Sequence, residues 1–194
     1  MDDKDTLLDY LRTQRAGLLS KLDGLDEYDA RRPMTPTGTN LLGLVKHVAS
    51  VELGYLGEVF GRPADRDLPW FADDAEVNAD MWATPDETRE QVVALHHYSA
   101  EHSDATVQAL PLDAPGDVPW WGEEHRHVTL HQILVHVCVE TARHAGHADI
   151  VRELIDGVVG RRPDDPNIPA IDWPAYRERL EAAAREAGTA ATRP

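Results

Sequence analysis

Apolar residues recur along most of this chain with the spacing of amphipathic α-helices. In a first segment, about residues 4–24, leucines separated by three, four and seven positions form one apolar side. The same periodicity continues over about 40–60, 85–109 and 130–155, and a shorter segment covers about 172–187. No internal repeat or β-hairpin pattern interrupts this series. The pattern therefore predicts an all-α fold.

Capping residues predict where three of these helices begin. Asn40 or Thr39 is a candidate N-cap of the second helix. The quartet Thr84–Glu87 combines an N-cap threonine, proline at the first helical position and glutamate three residues after the cap, which predicts the start of the third helix. Thr129 with Gln132 predicts a capping box at the start of the fourth.

The ends and connections of the helices predict how they are arranged. Gly157 is a stop for the fourth helix, a terminal helix begins at Asp172, and residues 188–194 are expected to form a flexible tail. The connection 61–82 is too long for a tight hairpin but long enough to travel the length of a bundle. We therefore expect a four-helix up-down-down-up bundle with a long helix 2–helix 3 crossover and a short C-terminal accessory helix.

Composition limits the classes of function. The 194 residues suit a single domain, 1–194, and no apolar stretch approaches the roughly 18–20 residues needed to cross a bilayer. A formal net charge of −16 disfavours nucleic acid and anionic membranes, and leaves small molecules or a protein as the expected partners. The acidic N-terminal segment does not have the pattern of a signal peptide, and the single cysteine, Cys138, is compatible with a reducing cytoplasm.

Polar residues interrupt the apolar side of the fourth helix at Glu140 and His144. These residues are four apart, so their side chains project from successive turns of one face. On the second helix, His47 falls between Leu44 and Val51 on the apolar side. Because an unpaired buried carboxylate is costly, it requires a positive partner. A divalent cation held by two imidazoles and one carboxylate meets this requirement and keeps an open position for water or substrate.

Interpretations without a metal also fit these residues. A lone histidine on an apolar helix side is commonly a hydrogen-bonded core residue, and a glutamate four before a histidine is commonly a weak surface pair. Arg143 is an alternative partner for Glu140, although its direction on the helix differs by about 100°.

Further candidates flank the proposed ligands. His136 precedes Glu140 by four residues, so it either extends the row of ligands or forms a hydrogen bond beside the site. His147 follows His144 by three residues and is a candidate fourth ligand or proton-transfer group. Cys138 has no second cysteine beside it, which favours a packed thiol over a nucleophile.

Aromatic residues and a histidine pair supply weaker candidates. Trp120 and Trp121 precede the fourth helix and either rim a pocket or anchor the loop. His96 and His97 cannot both face the interior, because consecutive residues of a helix differ by 100° in direction. The chain has no GxGxxG, GxxxxGK[ST] or GxSxG motif, which weakens nucleotide-binding and serine-hydrolase interpretations.

Two segments carry a resemblance to a known family: LLGLVKHVASVE (41–52) and HVCVETARHAGHADIVRELIDG (136–157). They resemble the DinB-like superfamily, and within it the actinobacterial branch known as domain of unknown function 664, which is related to mycothiol-dependent maleylpyruvate isomerase. The resemblance covers nearly the whole chain. It implies a four-helix bundle, often a homodimer, with a divalent metal between the second and fourth helices. The ligands that it implies are His47, Glu140 and His144.

The sequence departs from many relatives at one position of the motif. Those relatives have His-Arg-Gly-Gln beginning at the last ligand, whereas this chain has His144-Ala145-Gly146-His147, so His147 occupies the position of the glutamine. Relatives that use glutamate and then histidine on the fourth helix belong to the mycothiol-dependent isomerase branch.

The resemblance implies a metal-dependent thiol S-transferase or isomerase that uses mycothiol or a similar thiol and acts on a small electrophile. His147 is the candidate for proton transfer, and loops 61–82 and 111–128 are expected to shape the mouth of the site. Zinc is the expected metal, while nickel, iron and manganese accept similar ligands. The alternative is a non-enzymatic metal- or ligand-binding bundle with a structural or stress-related role, closed by His136 or His147 as fourth ligand. A bundle without any metal is the third hypothesis.

Overall fold

Six helices and one pair of short strands make up the described part of the chain, residues 2–161 and 167–190, in a computed structural model. Short 3-10 turns at 20–22, 58–60, 69–71 and 79–81 separate several of them. The helices are α1 (Asp3–Leu19), α2 (Glu27–Arg31), α3 (Leu41–Leu56), α4 (Arg89–Ala109), α5 (Leu130–Asp156) and α6 (Trp173–Ala190), and the strands are β1 (Pro115–Asp117) and β2 (His127–Thr129).

The four long helices α1, α3, α4 and α5 form the bundle, and their directions are up, down, down and up. Helices α1 and α5 run parallel, as do α3 and α4, whereas α3 and α5 run antiparallel. The predicted all-α bundle is therefore confirmed, and the connection between α3 and α4 crosses the length of the bundle. The contacts that establish these directions are Leu7–Cys138 and Lys21–Asp149, Lys46–Glu87 and Ala49–Ser99, and His47–His144 and Tyr55–His136.

Several predicted helix boundaries are confirmed by their capping contacts. The Asn40 side chain accepts a hydrogen bond from the backbone of Gly43, 2.8 Å away, at the start of α3. Thr129 caps α5 in the same way, and Gly157 ends that helix in the left-handed region with φ of 77°. Asp172 accepts from the third residue of α6, which follows it. Each of these ends satisfies backbone groups that the helix itself cannot pair.

The predicted start of the third long helix is wrong. Helix α4 begins at Arg89, and the capping box is formed by Thr88 and Gln91. Residues 84–87 form a turn instead, because the carboxylate of Glu87 accepts from the backbone of Thr84 and from the Lys46 ammonium. Glu87, which was expected to cap the N-terminus of the helix, instead pairs with the buried ammonium of Lys46.

Smaller elements also differ from the prediction. The short helix α2 and the antiparallel pair of β1 and β2 lie in segments that were predicted to be loops. Helix α6 continues to Ala190, so residues 188–190 are helical rather than part of a tail, and 191–194 lie outside the described residues. None of the helices in the described ranges is both long enough and apolar enough to cross a membrane.

Two of the three apolar clusters in the described residues include α5, and they meet it at different heights. One cluster includes Val137, and the other begins along α5 at Ala145. Glu140 and His144 therefore leave the helix in the interval between the clusters. This interval is the place where a polar site disrupts apolar packing least. Other members of the first cluster are Leu11, Leu56, Leu130, Ile133 and Leu134, and other members of the second are Leu18, Leu44, Val48, Ala148 and Val151.

Candidate metal centre

Three side chains from two helices bring potential metal-binding atoms together between α3 and α5. One ligand atom each from His47, Glu140 and His144 lies within 4.8 Å of the others. The Oε1 atom of Glu140 lies 3.0 Å from Nε2 of His144 and 3.7 Å from Nε2 of His47. The two imidazole rings meet edge to face, with centroids 4.7 Å apart. One carboxylate oxygen therefore faces both imidazoles.

These separations fit a divalent cation. Ligands about 2.0–2.1 Å from a tetrahedral zinc ion lie about 3.3 Å from one another. The two observed nitrogen–oxygen separations, 3.0 and 3.7 Å, lie on either side of that value. Two imidazoles with one carboxylate form a donor set that zinc and several other divalent metals accept. The arrangement needs only small side-chain shifts to enclose an ion.

No lysine or arginine of the described residues pairs with Glu140, so the alternative partner Arg143 does not fill this role. Partial burial alone would raise the pKa of Glu140, but the hydrogen bond with His144 and the two nearby imidazoles outweigh it, and the pKa lies below its ordinary value. Burial, and then His47, lowers the pKa of His144. Glu140 is therefore an anion and His144 a neutral imidazole near pH 7, which are the forms that bind a metal.

A fourth residue, Asp80, contacts the cluster from the crossover connection. Its Oδ2 atom lies 2.6 Å from Nδ1 of His47, on the side of the ring opposite Nε2. The hydrogen bond with His47 holds the pKa of Asp80 below its ordinary value. Sequence reasoning missed this residue because segment 61–82 has no periodicity from which to place its side chains. The contact shows that this predicted loop reaches the site.

The two neighbouring histidines lie outside the cluster of ligand atoms. The ring of His136 packs 4.6 Å from Tyr55 and 5.1 Å from Trp121, one helical turn before the site. His147 is exposed, and its ring centroid lies 5.4 Å from that of His144. Within residues 2–161 and 167–190, neither histidine completes a fourth protein ligand. The role of His147 in proton transfer remains a prediction.

Two tryptophans fasten the segment before α5. The indole nitrogens of Trp120 and Trp121 lie 3.3 and 3.0 Å from the hydroxyl of Tyr55, to which both donate. Trp121 packs against an apolar cluster, and Trp120 is half-exposed with its ring over Gly54. These contacts agree with the interpretation of a loop anchor. A role at the mouth of a pocket remains a prediction.

Cys138 and one histidine of the pair on α4 are packing residues. The Cys138 thiol points toward the Leu7 carbonyl oxygen, 3.5 Å away, and burial raises its pKa, so the unreactive thiol form is favoured. His96 is buried and His97 is exposed, which confirms that only one of them faces the interior.

A comparison with known families matches most of the chain. The model of the family described as mycothiol-S-transferase matches residues 6–157, which extend from α1 to the end of α5. His47, Glu140 and His144 all lie within this range. No match is found among curated proteins.

Proposed function

The chain belongs to the mycothiol-S-transferase family, a DinB-like family, and on this premise we propose that it is a metal-dependent S-transferase. The substrates would be mycothiol, or a similar low-molecular-weight thiol, and a small electrophile. One observation carries the proposal. Two imidazoles and one carboxylate converge within 4.8 Å on α3 and α5, although 93 residues separate His47 from Glu140.

His47, Glu140 and His144 would hold the cation, with zinc as the first expectation and nickel, iron or manganese as alternatives. A bound cation supplies the positive charge that favours the thiolate form of the thiol. With three protein ligands the site would leave room for a substrate atom, as catalytic zinc sites require. Glu140 offsets part of the charge of the cation.

His147 is the proposed acceptor of the thiol proton, because it is exposed and lies beside His144. After the proton has moved to the imidazole, the sulfur forms a bond with the electrophilic carbon. The bond from that carbon to the leaving group breaks, and the leaving group departs with the electron pair. For a substrate without a leaving group, addition followed by elimination of the same thiol would isomerise the substrate.

A conjugation assay with variants tests this proposal. Purified protein is stripped with a chelator, reloaded with zinc, and mixed with mycothiol and a fluorogenic bimane electrophile. Wild type is expected to form the thioether, whereas His47→Ala and Glu140→Gln are expected to bind less zinc and lose at least 90% of the rate, on the order of what loss of a ligand removes. His97→Ala, which removes an exposed imidazole, is the matched control.

Three outcomes separate the hypotheses. Zinc-dependent turnover that the control retains and the two site variants lose supports the transferase. Zinc binding that depends on His47 without turnover of any thiol supports the non-enzymatic metal-binding alternative. Absence of metal from both wild type and His47→Ala would contradict the metal site itself.

A further inference from the structure

We propose that Asp80 is a positioning residue of the metal site: its carboxylate accepts the Nδ1 proton of His47 and leaves Nε2 as the nitrogen that binds the cation. The inference rests on the proposed function, since it assumes that His47 is a metal ligand. It concerns a residue of the crossover connection, whereas the proposed ligands all come from α3 and α5.

The geometry assigns different roles to the two nitrogens of His47. A neutral imidazole has one N–H and one lone pair, and the hydrogen bond at one nitrogen decides which nitrogen keeps the lone pair. Nδ1 lies 2.6 Å from the Asp80 carboxylate, whereas Nε2 faces Glu140 at 3.7 Å. An ionised carboxylate has no proton to donate, so it accepts from Nδ1. The proton is thereby held on the side away from Glu140 and His144.

The residue next to His47 holds the Asp80 turn in place. Lys46 is 2% exposed, and its ammonium donates to the carbonyl oxygens of Ala79 and Trp82, at 2.9 and 3.0 Å. These two carbonyls lie on either side of Asp80 in the sequence. Lys46 also forms an ion pair of 2.7 Å with Glu87. A buried charge with three partners fixes the backbone that carries the carboxylate.

A close approach one turn earlier on α3 brings the same turn onto the helix. A Cβ atom at Gly43 would overlap with the carbonyl oxygen of Met81, so only glycine allows this contact. The side-chain amide of Asn40 donates to that same oxygen over 3.2 Å. Together with Lys46 and His47, these residues form one docking face on the first two turns of α3.

The second imidazole of the site has no comparable support. Nδ1 of His144 is buried and has no hydrogen-bond partner among the described residues, while its Nε2 faces Glu140. Of the two imidazoles, His47 is therefore the one with a carboxylate on the nitrogen that points away from the proposed cation. We expect removal of the Asp80 carboxylate to change the tautomer of His47 even in protein without metal.

The test compares wild type with Asp80→Ala, Asp80→Asn and Asp74→Ala. Asp74 is an exposed carboxylate on the same connection and serves as the matched control. Two quantities are measured. The first is the tautomer of His47 in chelator-stripped protein, from its ring ¹⁵N shifts at pH 8. The second is zinc affinity, from competition with a chromophoric chelator.

In wild type and Asp74→Ala, His47 is expected to carry its proton on Nδ1. Asp80→Ala is expected to populate the Nε2-protonated form and to bind zinc about 10–100-fold more weakly, the usual effect of removing such a carboxylate. Asp80→Asn retains an acceptor oxygen and is expected to keep the tautomer with a loss of less than about 10-fold. This partial rescue is not expected if Asp80 only stabilises the fold.

The proposal is overturned if Asp80→Ala keeps the wild-type tautomer and binds zinc within about twofold of wild type. If Asp80→Ala does not fold, Asp80→Asn is compared instead with Asp80→Leu, in chelator-stripped protein with matching circular dichroism, and an equal tautomer and zinc affinity in these two variants overturns the proposal. Failure of the proposed function gives different results: absence of thiol turnover refutes the transferase and leaves the tautomer and zinc affinity unchanged, whereas a metal site that does not use His47 would show the same zinc affinity in His47→Ala as in wild type.

Discussion

Glu52 and Glu140 are two carboxylates of this bundle that have different kinds of partner. Glu52 of α3 is 2% exposed, and the Arg15 guanidinium donates to both of its oxygens, at 2.9 and 2.5 Å. The same guanidinium also donates to Asp104 of α4, at 2.6 Å. Among the residues that the structure describes, Glu140 of α5 pairs only with the imidazoles of His47 and His144.

The difference distinguishes a structural network from a binding site. Around Arg15 each charge is met by an opposite charge of the protein. At Glu140 the partners among the described residues are two imidazoles, which can themselves bind a metal, so the carboxylate remains available to a cation. Polar groups within a bundle therefore indicate a binding site when they converge and their charges do not neutralise one another. Burial alone does not indicate such a site.

The largest expected effect comes from breaking the closed network. Glu52→Gln leaves the buried Arg15 without its main partner, so the free energy of unfolding should fall by about 3–5 kcal/mol. Urea unfolding of chelator-stripped protein measures this. The double variant Arg15→Met, Glu52→Leu removes both charges and is expected to recover most of the loss. A loss below about 1 kcal/mol would contradict a structural role for the pair.

The network also predicts a pH dependence. His96 is buried near Arg15, and both of its nitrogens have no hydrogen-bond partner in the described ranges. Burial first, and then the charges of Arg15 and His97, lower the pKa of His96 to about 4. In the unfolded chain this imidazole binds its proton near pH 6.5. With respect to His96 the free energy of unfolding is therefore highest above that pH, and it decreases as pH falls toward 4.

At pH 5 the loss attributable to His96 should be about 2 kcal/mol relative to pH 7.5. Urea unfolding of wild type and His96→Leu at the two pH values measures it, because the leucine variant should lack this part of the decrease. His97→Leu is the exposed neighbour used as control. Equal decreases in wild type and His96→Leu would show that other groups account for the acid sensitivity.

The four long helices and the three clustered side chains could be predicted from periodicity, and the directions of the helices from the length of the connection 61–82. Glu140 and His144 stand out on an apolar side, and His47 occupies the same kind of position on α3. The Arg15–Glu52 pair could not be found in this way. Its members are 37 residues apart on different helices, and each taken alone resembles an ordinary charged surface residue.

Tertiary contacts also decide details that local patterns leave equivalent. Residues 84–87 and 88–91 both have a threonine followed three residues later by a glutamate or glutamine. The first quartet contains a favourable proline, yet Glu87 binds Lys46 and the helix starts after Thr88. Asp80 was missed for a related reason. A loop side chain is placed by the surface on which its backbone lies, here Gly43 and Lys46.

A smaller effect is expected at the rim of the closed network. Asp104 has 20% of its side chain exposed and pairs with Arg12 as well as Arg15. Asp104→Asn retains an acceptor and lets water screen the change, so the loss of stability should be about 1 kcal/mol. Urea unfolding beside Asp9→Asn, an exposed carboxylate on α1, checks this value. A loss as large as that of Glu52→Gln would show that Asp104 stabilises the network as much as Glu52 does.

The smallest effect on the stripped protein is expected at the open site, where Glu140→Gln tests the comparison most directly. Glutamine keeps the volume of the side chain and a hydrogen bond to His144, and no lysine or arginine of the described ranges loses a partner. The free energy of unfolding without metal should therefore change by less than about 1 kcal/mol.

Zinc should reverse this ranking of the two carboxylates. At a free zinc concentration 100 times the dissociation constant, binding stabilises the native state by about 2.7 kcal/mol. Wild type and Glu52→Gln should both gain this amount in urea unfolding with zinc, whereas Glu140→Gln should gain little, because it retains only two ligands. If instead Glu140→Gln destabilises the stripped protein as much as Glu52→Gln does, the two carboxylates have the same structural role. A carboxylate that is dispensable for folding but required for the zinc-dependent gain is one that the fold holds ready for a ligand.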